Sequence, residues 1–239
     1  MGNRQSARFL FGLMMTFAAP ATAEPVDLEL VLAADGSGSI DDGEMRLQRE
    51  GYAAALTDPE LVSAMTDGAH GRVALMYFEW GGADSQVVIA DWAVIDGLDS
   101  AARFADTLRT TPRGAFGWNS ISNAIDFGRR AMAENGYDGV RKVIDVSADS
   151  GNHGGLPLPL SREAALAEDI TINGLAVLCR TCDGRPARAD LEGYFAGQVI
   201  GGFGAFVVTV DQTTSFAEAV RRKLLLEIAG LPQSVAAAR

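Results

Sequence analysis

Asp35-Gly36-Ser37-Gly38-Ser39 closes the largely apolar run Leu28-Glu29-Leu30-Val31-Leu32-Ala33-Ala34, and the chain is organised around this junction. Such a run, ending at glycines, predicts a buried strand. The loop after it presents one carboxylate and two hydroxyls at alternate positions, and the intervening glycines allow the tight turn that brings these side chains together. Carboxylate and hydroxyl oxygens suit Mg²⁺, Mn²⁺ or Ca²⁺ better than zinc or copper. The stretch therefore predicts a metal site, with a plain polar turn as the alternative.

Length, composition and charge limit the class of protein and of partner. The chain has 239 residues, of which 48% are hydrophobic, and this is enough to bury a full core in one domain. It carries 31 acidic against 20 basic residues, a formal net charge of −11. Such a surface repels phosphate backbones and anionic lipid headgroups. We therefore expect no nucleic acid partner, and expect divalent cations and basic protein surfaces instead.

The first 23 residues have the pattern of a secretory signal peptide. Arg4 and Arg8 precede the apolar run 9–19, and Ala21-Thr22-Ala23 offers the small residues of a cleavage site. An uncleaved membrane anchor is disfavoured because the run falls short of the ~20 residues that span a bilayer. Cleavage after Ala23 would remove two arginines and no acidic residue, which takes the net charge from −11 to −13. We expect no membrane span after this cleavage.

After the signal peptide, apolar strand-like runs alternate with helical patterns. The predicted strands cover residues 28–34, 72–80, 86–92, 140–147, 170–178 and 205–210. The predicted helices cover residues 43–65, 100–108, 120–134, 161–168, 190–195 and 213–229, with N-caps at Asp41 or Asp42, at Asn119 or Ser120, and at Ser161 for the first, third and fourth. The alternation predicts an α/β fold with a doubly wound, mostly parallel sheet, in which a hairpin at Gly81-Gly82 supplies one antiparallel strand.

Polar loops converge on one edge of this predicted sheet. In a doubly wound sheet, ligands bind beyond the carboxyl ends of the strands. Residues 35–39 follow the first strand, Asn119 and Ser120 open the helix after the hairpin, and Asp149 follows the fourth strand. Three separate loops thus bring oxygen ligands to one place, which favours the metal site over the polar turn.

The Asp-x-Ser-x-Ser loop resembles the metal-ion-dependent adhesion site (MIDAS) of von Willebrand factor A domains. The element order also resembles their Rossmann-like three-layer fold, over about Val26 to Ala229. More narrowly, residues 199–206 (VIGGFGAF) and 221–228 (RRKLLLEI) are similar to DUF1194, a group of exported bacterial proteins of unknown function. The resemblance implies one domain over residues 24–239 and a periplasmic or secreted location.

In the wider family, two serines and one threonine hold the ion, and carboxylates act directly or through water. The resemblance implies Ser37 and Ser39 as the serines, and Asp35 and Asp149 as the carboxylates. The implied cofactor is Mg²⁺, with Mn²⁺ or Ca²⁺ as alternatives. The implied partner is a protein that offers an acidic side chain to the ion. Trp118, beside Asn119 and Ser120, suits the aromatic rim of such an interface.

The chain departs from the family pattern at two points. Asn119 stands where the family has threonine, and its amide oxygen can still bind Mg²⁺ or Ca²⁺. Ser120, one residue away, is the alternative ligand. Asp149 is followed by Ser150, where glycine is common in the family.

A Ser-dependent or metal-dependent hydrolase is the competing function. A nucleophilic Ser37 would need a histidine base, and the chain has His70 and His153. His70 is expected at the opposite edge of the sheet, whereas His153 could reach the site. We expect binding rather than catalysis. The third possibility is a von Willebrand A-like scaffold that has lost its metal through the Thr-to-Asn departure.

Cys179 and Cys182 are the two cysteines of the chain. A zinc site would need further ligands, and a thioredoxin-like motif would need a helix that Gly184 and Pro186 interrupt. For an exported chain a local disulfide is the favoured interpretation. It closes a very short loop, so we expect little entropic stabilisation from it.

Overall fold

The computed structural model describes residues 23–178, 190–211 and 215–229. Within these residues the strands are β1 (Glu24–Val26), β2 (Leu28–Asp35), β3 (Val73–Trp80), β4 (Gln86–Ile95), β5 (Tyr137–Gly139), β6 (Lys142–Ala148), β7 (Ile170–Val177) and β8 (Val207–Val210). Six of them form one sheet in the order β4-β3-β2-β6-β7-β8. The β3–β4 pair is antiparallel and the other pairs are parallel. This confirms the predicted α/β class and its single antiparallel strand.

Helices cover both faces of this sheet. They are α1 (Asp42–Leu56), α2 (Pro59–Thr66), α3 (Leu98–Thr110), α4 (Ile121–Ala133), α5 (Leu158–Ala167), α6 (Leu191–Tyr194) and α7 (Phe216–Ala229), and a π-helical segment, Phe195–Val199, continues α6. Buried side chains of α1, α2, α3 and α7 form one apolar cluster with the sheet. Those of α4, α5, α6 and the π-helical segment form a second cluster on the other face. The sheet is therefore the middle layer of three.

Strand β2 lies in the centre of the sheet, between β3 and β6. All eight of its residues are buried, as expected for a parallel strand covered on both faces. Its last residue, Asp35, pairs with Trp80, the last residue of β3. Because β2, β3 and β6 run parallel, their carboxyl ends meet at one edge, where the candidate ligand loops begin.

The predicted helix over residues 43–65 is wrong as one element, because it is two helices in the structure. Helix α1 ends at Leu56, and α2 begins at Pro59. Proline lacks the N–H that an uninterrupted helix would need, but it is well tolerated in a first turn. Asp58 caps α2 by accepting hydrogen bonds from the backbone N–H groups of Glu60 (3.0 Å) and Leu61 (3.3 Å).

Three smaller features also differ from the sequence prediction. Ser161 is a buried residue within α5 rather than its N-cap, because the helix already begins at Leu158. The closing strand starts at Val207 rather than 205. Strands β1 and β5 pair in a small parallel sheet that was not predicted, since three-residue strands carry too short a pattern to be recognised.

Two predictions fall outside the described residues. The signal peptide lies there almost entirely, as do both members of the predicted Cys179–Cys182 disulfide. Among the described residues, no helix combines the length and the apolar composition needed to cross a membrane.

Candidate metal centre

The loop after β2 and the loop after β6 meet through a chain of oxygen contacts. The Ser37 and Ser39 hydroxyl oxygens lie 3.0 Å apart, and Ser39 Oγ donates to Asp149 Oδ2 at 3.1 Å. Asp35 Oδ1 accepts the backbone N–H of Ser37 at 2.8 Å. The backbone N–H of Asp149 lies 3.4 Å from Asp35 Oδ2. Four of the five predicted ligands are thus adjacent in the structure.

Asn119 completes the group from the loop before α4. One terminal atom of its side-chain amide lies 2.8 Å from Ser37 Oγ and 3.2 Å from each carboxylate oxygen of Asp35. The other terminal atom contacts the hydroxyl of Ser150. Asn119 is only 4% exposed and Asp35 only 1%, whereas Ser39 is exposed. The cluster is therefore a buried group that opens to solvent on the Ser39 side.

The structure separates Ser120 from this cluster. The Ser120 hydroxyl donates to Asn123 Oδ1 at 3.0 Å, and its backbone N–H donates to the Gly81 carbonyl at 2.8 Å. Ser120 is the N-cap residue of α4, although its side chain makes no capping hydrogen bond. Of the two candidates for the family threonine, Asn119 is the one that faces Asp35 and Ser37.

The spacing of these polar atoms suits a small divalent cation. In an octahedral Mg²⁺ site each Mg–O bond is about 2.1 Å long, and neighbouring bonds stand at right angles. Neighbouring ligand oxygens therefore lie about 3.0 Å apart. The Ser37–Ser39 and Ser39–Asp149 oxygen distances are 3.0 and 3.1 Å, and the Asn119 amide contacts are 2.8–3.2 Å. Two carboxylates and three neutral groups are the hard donors that Mg²⁺, Mn²⁺ and Ca²⁺ prefer.

The donor set is poor in carboxylates. Among the described residues, no group of three or more His, Cys, Asp and Glu side chains could hold a metal. A site built from Asp35 and Asp149 would hold an ion mainly through hydroxyl and amide oxygens. Such an ion keeps much of its positive charge, so the arrangement could accept a carboxylate from outside.

Backbone contacts join the loop after β2 to the end of β3 and to the loop before α4. Gly36 N–H donates to the Trp80 carbonyl at 2.7 Å, and Gly38 N–H donates to the Gly117 carbonyl at 2.8 Å. Gly81 lies so close to the loop before α4 that an added Cβ would stand 2.3 Å from the Phe116 carbonyl oxygen. The end of β3 and this loop can approach each other only because residue 81 has no side chain.

Arg113 holds the loop after β2 in place, although it is not one of the candidate ligands. Its guanidinium donates to the carbonyls of Ile40 (2.8 Å), Gly36 (2.9 Å) and Ser37 (3.1 Å). It also lies over the Phe116 ring, 4.9 Å from the ring centroid. Three charge-assisted hydrogen bonds from one planar group fix the loop that carries Ser37 and Ser39. Sequence reasoning missed this residue, because an arginine in an irregular stretch gives no signal of its contacts.

A buried ion pair holds the segment that carries Arg113. Arg49 of α1 pairs with Glu79 of β3 at 2.7 Å, and Glu79 is fully buried. The Arg49 guanidinium also donates to the carbonyls of Leu108, Thr111 and Pro112. These bonds join the end of α3 to α1 and β3, and thereby fix the start of the loop before α4.

Exposed aromatic side chains border the cluster. Trp118 and Phe116 are 78% and 58% exposed, although large apolar side chains are usually buried. The Trp118 ring lies edge-on to His153, with centroids 6.4 Å apart, and the His153 backbone N–H donates to the Asn119 carbonyl at 2.5 Å. His153 is therefore at the rim of the cluster. His70 precedes β3, at the amino-terminal edge of the sheet, where its backbone N–H donates to Asp27.

The family model described as "Protein of unknown function (DUF1194)" matches residues 25–232. A search of curated proteins found no match.

Several solved structures share the fold at low sequence identity. Proximal thread matrix protein 1 from the mussel byssus is 15% identical, with a TM-score of 0.58 over 87% of this chain and 47% of that chain. It has also been solved with a zinc-occupied MIDAS motif. A von Willebrand factor type A protein from Catenulispora acidiphila is 15% identical, with a TM-score of 0.55 over 86% of this chain and 43% of that chain. The von Willebrand domain of the pilus tip protein Mfa5 from Porphyromonas gingivalis is 11% identical, with a TM-score of 0.54 over 87% of this chain and 97% of that chain.

These neighbours establish the fold of this chain. It is that of von Willebrand A domains, as the resemblance implied. The chain spans about half the length of the first two of these proteins.

Proposed function

The chain belongs to the DUF1194 family, and we propose that it binds one divalent cation through Asp35, Ser37, Ser39, Asn119 and Asp149. We further propose that this cation docks an acidic side chain of a protein partner. The favoured ion is Mg²⁺, with Mn²⁺ or Ca²⁺ as alternatives. When bound, it would supply an open coordination position on the exposed Ser39 side.

One observation carries the proposal: polar side-chain atoms from three separate loops lie at the mutual spacing of ligands around a small cation. The mussel protein, whose fold is similar, has been solved with a zinc-occupied MIDAS motif, which supports the assignment by analogy. The exposed rings of Phe116 and Trp118 support a protein partner, because aromatic residues are enriched in such interfaces.

Docking of a carboxylate can be tested with a displayed peptide library selected on the immobilised protein in Mg²⁺. We expect the selected peptides to share an Asp or Glu, because an outside carboxylate would complete the coordination. Binding of a selected peptide should fall by more than about tenfold in chelator, or when its acid is replaced by the amide, as for a lost charge-assisted contact. Peptides that bind equally well in chelator would contradict docking through the ion.

Export is proposed from the residues that precede the described domain. Mass spectrometry of protein recovered from outside the cytoplasm of a bacterial host should show Glu24 as the first residue. It should also show the loss of two hydrogens that a Cys179–Cys182 bond requires, because oxidising compartments favour disulfides. Recovery of the chain with Met1 intact, or with two free thiols, would contradict this assignment.

A further inference from the structure

The side-chain amide of Asn119 lies between two groups that can accept either of its ends. On one side are the Asp35 carboxylate and the Ser37 hydroxyl, and on the other is the Ser150 hydroxyl. An amide can be placed in two orientations that exchange its oxygen and its nitrogen. With the nitrogen toward Asp35, it donates to Asp35 and Ser37 while its oxygen accepts from Ser150. With the oxygen toward Asp35, the nitrogen donates to Ser150 instead.

These two orientations suit two different states of the site. An amide nitrogen has two N–H donors and no acceptor, so it can satisfy a carboxylate but cannot ligate a cation. An amide oxygen can ligate a cation, but beside the Asp35 carboxylate it brings two acceptors together with no proton between them. A cation placed between the amide oxygen and the Asp35 carboxylate makes the orientation with the oxygen toward Asp35 favourable.

We propose that the Asn119 amide donates to Asp35 and Ser37 when the site is empty and turns over when a cation binds. In this turnover the amide oxygen and nitrogen exchange places. The inference rests on the proposed cation site and assigns a role to the two N–H donors of the amide, where a hydroxyl would offer a single O–H donor. In the empty site, the amide N–H groups occupy the contacts of Asp35 and Ser37 that the cation would otherwise take. In the filled site, the oxygen faces the cation and the nitrogen turns to Ser150.

The turnover needs no movement of the backbone. Both sets of partners are present in one conformation of the loops, and Ser150 is buried beside Asn119. The Asn119 carbonyl accepts a hydrogen bond from the His153 N–H, which holds the backbone beside the amide. The amide therefore competes with the cation. Because it stabilises the empty site, it lowers the affinity of the site for the cation.

Nuclear magnetic resonance of ¹⁵N-labelled protein tests the turnover directly. The Asn119 side-chain resonance is assigned by its absence from Asn119→Thr. In chelator, we expect its protons to exchange slowly with solvent, as buried hydrogen-bonded donors do. Saturating Mg²⁺ should move this resonance, because its protons now face Ser150. The side-chain resonance of Asn123, which donates to the Ala83 carbonyl, should move far less.

The same idea predicts how substitution changes affinity and melting temperature. Asn119→Thr keeps a ligand oxygen but replaces two N–H donors with one O–H donor. The empty site thus loses a hydrogen bond to a charged group, and Mg²⁺ should bind about tenfold more tightly. Its melting temperature should fall in chelator and recover in Mg²⁺. The control Asn123→Thr removes a structural amide from the same region, and its melting temperature should fall equally in both conditions.

The outcomes separate this inference from the proposed function. Cation binding without any change in the Asn119 resonance, or equal melting losses for Asn119→Thr in chelator and Mg²⁺, would overturn the turnover and leave the cation site intact. Absence of Mg²⁺ binding at millimolar concentration would overturn both. Binding with a moved resonance and a tighter Asn119→Thr supports both.

Discussion

Replacing Lys223 with methionine is expected to lower the free energy of unfolding by about 3–5 kcal/mol, the cost of leaving buried charges without their partner. Lys223 of α7 is 1% exposed and its ammonium contacts both Asp145 of β6 and Glu227 of α7. Asn173 donates to the same Glu227 carboxylate at 3.2 Å. This cluster fastens α7 to the centre of the sheet.

The charges of the cluster show why the lysine matters. Burial raises the pKa of Glu227 to about 7, and the negative charge of Asp145 adds to the effect. Burial also raises the pKa of Asp145, against the opposing charge of Lys223. Without Lys223, two carboxyl groups with raised pKa values would face each other in an apolar interior, and both would have to take up protons to remain buried.

Chemical unfolding in urea measures this loss. Arg222→Met is the matched control, because Arg222 is the next residue of α7 and is exposed, so its substitution should change the free energy of unfolding by no more than about 0.5 kcal/mol. A loss below about 1 kcal/mol for Lys223→Met would contradict a buried charge cluster that anchors α7.

Asp35→Ala and Asp149→Ala should each weaken Mg²⁺ binding by more than about 100-fold, because the site has only these two carboxylates to offset the charge of the ion. Titration calorimetry measures the affinity. Mg²⁺ should raise the melting temperature of the parent protein, through mass action on the folded state, and should leave that of both variants unchanged.

A control separates ligand loss from a general loss of negative charge. Asp84 is an exposed carboxylate in the turn of the β3–β4 hairpin, at the same edge of the sheet. Asp84→Ala should keep the parent's affinity for Mg²⁺. An equal loss of affinity in all three variants would indicate a diffuse attraction of cations to an acidic surface instead of a site.

Much of the fold could be predicted from local patterns. Apolar runs of strand length alternate with helical periodicity, and this pattern carries the order of the elements and the antiparallel hairpin. The boundaries were less predictable: the apolar periodicity of residues 43–65 continues across Pro59, although the backbone must break there. Strand β1, with three residues, is defined by its partner strand rather than by a pattern of its own.

The sequence pointed to the side chains that the structure brings together at the candidate site. Asp35, Ser37 and Ser39 stand in one pentapeptide, and Asp149 follows a strand of the same sheet. The contacts that support them depend on long-range packing and leave no local signal. Arg113 reaches back more than seventy residues to the Gly36 carbonyl. Lys223 and Glu227 look like a solvent-exposed i, i+4 pair on a helix, yet they are buried.

Crystals of the parent protein grown in Mn²⁺ give the most direct test of the cation site. An anomalous difference map should show one strong peak among the side-chain oxygens of Asp35, Ser37, Ser39, Asn119 and Asp149, with metal-to-oxygen distances near the ~2.1–2.2 Å expected for a small divalent ion. The amide of Asn119 should then present its oxygen to the metal. A map without a peak among these oxygens at saturating Mn²⁺, or with its main peak elsewhere, would contradict a divalent-cation site in this chain.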